Sequence, residues 1–158
     1  MAARRSAPDH TEQDRSVGSR SATRDRYSSN RALYADRALV EGVDYGRRVS
    51  IGNARTTILA PHGGEIEQGT SELCLAIAGY HPETLRPDPP LYDYWIFEGL
   101  RSNGNADLHV SSLHCDDVVA NASCHTCPHA LSLHGCRSAS ARVPKRAPAV
   151  LVGGRDAV

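Results

Sequence analysis

The segment Ala60-Pro61-His62-Gly63-Gly64-Glu65-Ile66-Glu67 sets one imidazole and two carboxylates beside a pair of glycines that permit tight or left-handed backbone. Zinc accepts imidazole nitrogen and carboxylate oxygen at about 2.0–2.2 Å, and a hydrolytic site uses three protein ligands while leaving a position for water. One imidazole and one carboxylate from this segment make two ligands, so a third must come from elsewhere. His134 is the best source: it ends the apolar run Ala130-Leu131-Ser132-Leu133 and precedes Gly135, repeating the order of strand, histidine and glycine. Spacing alone leaves two readings open, a metal site and an ordinary turn with a satisfied histidine.

These residues must be held by regular elements. Thr56 to Ala60 is a short β-prone run ending at Pro61, so a strand is expected to feed a loop that carries His62. Thr70 and Ser71 can cap a helix from Glu72 through Ala78 that Gly79 closes, and Ser29 can cap another from Asn30 to Val40 that ends before Gly42. Pro82 to Pro90 holds four prolines and reads as an irregular connection, after which Tyr92 to Phe97 is aromatic and β-branched enough for a strand. Further strands are expected at Leu108 to Ser112, Ala130 to Leu133 and Ala149 to Val152. The pattern predicts a three-layer α/β domain with a mixed sheet. Residues 1–24 are rich in Ser, Arg and Asp with almost no large apolar side chain, and are expected to be a disordered tail preceding a single domain over 25–158.

The totals set outer bounds. A chain of 158 residues with 40% apolar content suffices for one core. Eighteen basic residues balance eighteen acidic ones, so no global field favours nucleic acid or an anionic membrane. The apolar runs Leu73 to Ala78 and Ala147 to Val152 fall far short of the roughly 20 residues that span a bilayer. No apolar stretch follows Arg4 and Arg5, which argues against a secretory signal and for a cytoplasmic protein. Five cysteines, an odd number, favour reduced thiols or metal ligands over a disulfide framework.

A second constellation is Cys124-His125-Thr126-Cys127-Pro128-His129, flanked by Cys115 and Cys136. Its paired thiols could form a structural zinc knuckle, although Pro128 keeps His125 and His129 off one helical face, and free loop thiols are the simpler reading.

Several segments together resemble the phage-associated poly-gamma-glutamate hydrolase family. They are Ile58 through Glu72, Phe97-Glu98-Gly99-Leu100, Leu131-Ser132-Leu133-His134-Gly135-Cys136 and Val152-Gly153-Gly154, in that order, with Asp25-Arg26-Tyr27 and Glu41-Gly42-Val43-Asp44-Tyr45 upstream. The resemblance implies a zinc carboxypeptidase-like core and a single zinc held by His62, Glu67 and His134. The activity it implies is hydrolysis of gamma-glutamyl amide bonds in poly-gamma-glutamate. Glu65 competes with Glu67 for the carboxylate role, because it stands three residues after His62; Glu67 is preferred because the family pattern usually has glycine at the earlier position.

Three residues that follow the matched segments, Arg101, Arg137 and Arg155, could pair with the carboxylates of such a polymer, since guanidinium binds them bidentately. His109 and His114 stand in a polar stretch expected near the site and are further candidates for substrate contact. Glu72 and Glu98 are the other carboxylates near these segments, with capping or ion pairing as their ordinary roles. The family continues past the Gly-Gly-Asp region with a late glutamate expected to act as general base, so the domain read here is expected to be incomplete. The alternative function is therefore a catalytically inactive remnant or a zinc-stabilised binding module.

Overall fold

The computed structural model describes residues 25–136. Its elements run α1 (Asn30–Tyr34), β1 (Tyr45–Ser50), β2 (Thr56–Gly64), α2 (Thr70–Ile77), β3 (Asp93–Gly99), α3 (Val118–Thr126) and β4 (His129–Ser132), with single 3-10 turns at Asn105–Leu108 and Ser112–His114. The tail expected over 1–24, the strand expected at Ala149 to Val152, and Arg137 and Arg155 lie outside the described residues.

One mixed sheet is built in the order β1-β3-β2-β4. β1 is antiparallel to β3, while β2 runs parallel to both β3 and β4. The central strands are buried on both faces, and side-chain alternation divides their residues between two cores. On one face Leu59, Trp95 and Phe97 pack with Leu33, Tyr45, Leu108, Val110 and Ala120. On the other, Ile58, Ala60, Tyr94 and Ile96 pack against Cys74, Leu75 and Ala78. Helices therefore cover both faces, which makes the three-layer α/β arrangement that the pattern predicts. Each fully buried aliphatic or Phe side chain, among them Ile58, Ile96 and Phe97, contributes about 1.5–3 kcal/mol of transfer free energy.

Several elements depart from the sequence expectation. The first helix stops at Tyr34 instead of Val40, because the Asp36 side chain accepts from the Ala38 amide and its carbonyl from Leu39, turning the chain locally. β2 does not end at Ala60 but continues to Gly64, and the register shift between Ala60 and Gly63 absorbs Pro61, which has no amide to donate. Thr70 and Ser71 do not cap α2: Gly69 takes the cap position at φ 89°, and the two hydroxyls serve the turn before it. Leu108 to Ser112 is not a strand. Asn105 bonds both backbone groups of Arg101, winding the chain into a 3-10 turn that delivers Leu108 and Val110 to the core as single side chains.

β1 and α3 were not foreseen. Helix α3 is capped by Asp117, whose carboxylate accepts from the Val119 and Ala120 amides; Cys124 lies in its last turn and Cys127 just past its end. The zinc knuckle is not formed: Cys127 is buried with its thiol toward the Ala54 carbonyl, whereas Cys124 is exposed. No helix among the described residues is long and apolar enough to cross a membrane.

Candidate metal centre

His62 and His134 reach the same place because β2 and β4 are parallel and in register, Leu59 pairing with Ser132. Both strands leave the sheet at the same end, and the Leu133 amide extends the pairing to the Leu59 carbonyl. In open α/β sheets, ligands are held in the crevice beyond the carboxyl ends of the strands. The bulge at Pro61 and His62 re-aims the imidazole at that crevice.

Glu67 is brought to His62 by a short turn. Its amide donates to the His62 carbonyl at 2.9 Å, and Thr70 Oγ1 donates to the carbonyls of both residues. Two glycines make the turn feasible. A Cβ at Gly63 would stand 2.3 Å from Ser71 Oγ, and Gly64 adopts φ 61° against the Gly99 carbonyl.

Three donor atoms converge. His62 Nδ1 lies 3.1 Å from His134 Nδ1 and 3.2 Å from Glu67 Oε2, and His134 Nδ1 lies 3.8 Å from the same oxygen. Donors bound tetrahedrally at about 2.0–2.2 Å stand about 3.3–3.6 Å apart, so these separations fit one zinc ion. Two imidazole nitrogens and a carboxylate this close need a proton or a cation among them to offset lone-pair repulsion.

The outer nitrogens of both imidazoles are committed elsewhere. His62, only 2% exposed, places Nε2 at 2.8 Å from the Val110 carbonyl; a carbonyl only accepts, so the proton sits on Nε2 and Nδ1 keeps its lone pair. His134 Nε2 meets the hydroxyls of Ser112 and Ser132 at 3.0 and 3.1 Å, leaving its Nδ1 facing the cluster. Glu67 Oε2 also accepts the Gly135 amide at 2.8 Å. Burial alone would raise the Glu67 carboxyl, but its contact with His62, the Gly135 amide and the nearby His134 outweigh it and hold it below its ordinary value. Burial, with repulsion from His62, pushes His134 below the usual histidine range, so its imidazole is neutral near pH 7 and able to ligate.

His109 also borders the cluster, with one donor atom each on His62, Glu67 and His109 lying within 4.8 Å of one another. Its ring stacks on His62 with centroids 4.0 Å apart, and its Nδ1 donates to Asp25 Oδ1 at 2.7 Å. The donors on His134 are the closer fit to zinc, and His109 stands as a neighbour of the trio. Sequence reasoning named His109 only for substrate contact and gave Asp25, Ser112 and Ser132 no role of their own, although Asp25 and Ser132 stand in segments that carry the family resemblance.

The other candidate residues fall elsewhere. Glu65 is exposed and accepts from Gln68, away from the imidazoles. Arg101 donates to Asp44 at 2.8 Å, Glu98 pairs with Arg48 at 3.6 Å, and Glu72 is exposed on α2. His114 is exposed in a 3-10 turn.

A family model described as poly-gamma-glutamate hydrolase matches residues 27–158. Among curated proteins of Bacillus subtilis (strain 168), the UPF0714 protein YndL is 32% identical over 115 residues, covering 73% of this chain and 38% of YndL. The SPbeta prophage-derived UPF0714 protein YoqZ is 35% identical over 102 residues, or 65% of this chain and 31% of YoqZ. Of solved structures, zinc-free YndL superposes with a TM-score of 0.60 at 32% identity, and a bacteriophage poly-gamma-glutamate hydrolase with 0.59 at 31%. Each alignment covers 72% of this chain and 49% of the other. The chain thus spans about a third of the length of these curated relatives.

Proposed function

The chain belongs to the poly-gamma-glutamate hydrolase family, and we propose that it is a zinc-dependent hydrolase of the gamma-glutamyl amide bonds of poly-gamma-glutamate, with His62, Glu67 and His134 holding the ion. The observation that carries this reading is the convergence of His62 Nδ1, His134 Nδ1 and Glu67 Oε2 at the separations a tetrahedral zinc site requires. Zinc binding also fits the relative YndL, one structure of which is of its zinc-free form. The carboxypeptidase-like character is supported by a mixed sheet whose parallel strands deliver both histidines to one end.

Zinc bound there would supply Lewis acidity, polarising the scissile carbonyl and acidifying water. The protein's own groups prepare that chemistry. Val110 keeps the proton off His62 Nδ1, and the serine hydroxyls hold the His134 ring. The Gly135 amide keeps Glu67 in its charged form, a contact to an ionised acceptor worth about 1.5–3 kcal/mol. With Glu67 so engaged, proton transfer needs a different carboxylate.

The second reading is a zinc-stabilised binding module for glutamyl polymers, catalytically inactive as this chain stands. It is favoured by one observation: among the described residues the three candidate glutamates are placed in ordinary roles, Glu65 accepting from Gln68, Glu98 pairing with Arg48 and Glu72 exposed on α2. Incubating the chain with zinc and poly-gamma-glutamate, and following polymer length on a gel, separates the two readings. Shortening that a chelator abolishes, and that His62→Ala lacks, supports the hydrolase. Bound zinc without shortening supports the binding module.

A further inference from the structure

Asp25 precedes every regular element, yet it reaches the segment beside the metal centre. Its Oδ1 accepts from His109 Nδ1 at 2.7 Å and its Oδ2 from the Ser111 amide at 2.7 Å, so one carboxylate brackets Val110 from both sides. Val110 is 3% exposed, and its carbonyl is the group that receives the His62 Nε2 proton. The stretch from His109 to Ser111 lies between two 3-10 turns and belongs to no strand or helix. Its carbonyl therefore lacks a ladder to fix its direction.

We propose that Asp25 is a positioning residue for His62: by clamping His109 and Ser111 it aims the Val110 carbonyl, which holds the His62 proton on Nε2 and turns Nδ1 toward Glu67 and His134. The stacked His109 ring, at 4.0 Å and 23°, lies flat on His62 and limits rotation of its imidazole. The carboxylate suits the task because it is an acceptor at both oxygens, whereas an asparagine offers one acceptor and one donor. Outer partners that fix the tautomer and orientation of a ligating histidine typically change metal affinity by about 10- to 100-fold when removed. The consequence for zinc rests on the proposed metal centre; the effect on the His62 tautomer does not.

The test uses the full chain with Asp25→Asn, His109→Ala and His109→Asn, reading two quantities. Nitrogen-15 histidine spectra of the metal-free protein report which His62 nitrogen bears the proton, and competition with a chromogenic chelator reports zinc affinity. Asp25→Asn and His109→Ala are expected to leave His62 in mixed tautomers and to weaken zinc binding about 10- to 100-fold. His109→Asn keeps an N–H for Asp25 but not the ring stacked on His62, and should return the His62 tautomer toward wild type while recovering only part of the zinc affinity. Should Asp25→Asn fail to fold, the two His109 variants decide the matter by that rescue. An unchanged His62 tautomer and affinity in Asp25→Asn and His109→Ala overturns the proposal, as does a His109→Asn protein whose His62 tautomer is as mixed as that of His109→Ala. If the wild type binds no zinc while the tautomer still depends on Asp25, the clamp stands and the zinc reading falls.

Discussion

His62 and His134 are 72 residues apart in the chain, yet their Nδ1 atoms lie 3.1 Å from each other at one end of the sheet. Parallel pairing of β2 with β4 sets this distance, and Glu67 completes the group from the turn that follows β2. Much of what can be tested follows from that meeting.

Glu65 and Glu67 should respond very differently to amide substitution. Glu67→Gln removes a charged donor that contacts both histidines and the Gly135 amide, and should weaken zinc binding at least as much as the roughly 10- to 100-fold cost of losing an outer partner. Glu65→Gln loses only an exposed contact with Gln68 and should bind zinc as wild type does. Zinc titration of the two variants checks this; equal losses would place the ligand at the wrong glutamate.

Gly63→Ala should destabilise the protein by about 1–3 kcal/mol or more, because the added methyl meets Ser71 Oγ at 2.3 Å, Ile96 Cγ2 at 2.8 Å and the Phe97 carbonyl at 2.9 Å. The backbone contact cannot rotate away. Thermal melts of the metal-free protein measure the loss, and a melting temperature equal to wild type would contradict the packing described.

The fold class and most strands were legible in the sequence because their signals are local. β-prone runs at Thr56 and Tyr92, and Gly79 after α2, mark elements whatever surrounds them. β1 was not legible: its sequence, Tyr45-Gly46-Arg47-Arg48-Val49-Ser50, carries two arginines and a glycine, and it pairs only because β3 offers it an edge. Leu108 to Ser112 misled for the opposite reason, since its apolar residues are buried by a 3-10 turn that depends on Asn105. At the site, His62, Glu67 and His134 could be named from residue types and a family resemblance. The contacts of Asp25 with His109 and Ser111 could not be read from the sequence, because they span 84 and 86 residues.

Thiol reactivity should rank by burial. Cys74 is fully buried and its thiol is pushed up to about 12 by desolvation, so at pH 8 only roughly one molecule in 10⁴ carries the thiolate. Cys124 and Cys136 are exposed. Native-state alkylation followed by peptide mass mapping should modify these two well before Cys74. Early labelling of Cys74 would mean that α2 does not pack as described.

Asp44 should contribute to stability at neutral pH and lose that contribution in acid. The Val40 amide and the Arg101 guanidinium hold its carboxyl below the ordinary value, so the folded state binds its proton more weakly than the unfolded chain. The stabilisation is complete above the ordinary carboxylate range and fades as pH falls through the folded value. Asp44→Asn should therefore flatten the acid limb of a stability profile while leaving zinc affinity unchanged. An acid limb identical to wild type would show that this pairing does not report on folding.

The most direct measurement is the zinc content of the purified chain after equilibrium dialysis, compared with His62→Ala, Glu67→Ala and His134→Ala. The account predicts a single tightly held zinc in the wild type and near-complete loss in each variant, with His134→Ala as deficient as the other two. Zinc retained by His134→Ala at the wild-type level would contradict it, and would leave His62 and Glu67 to be completed by some other donor.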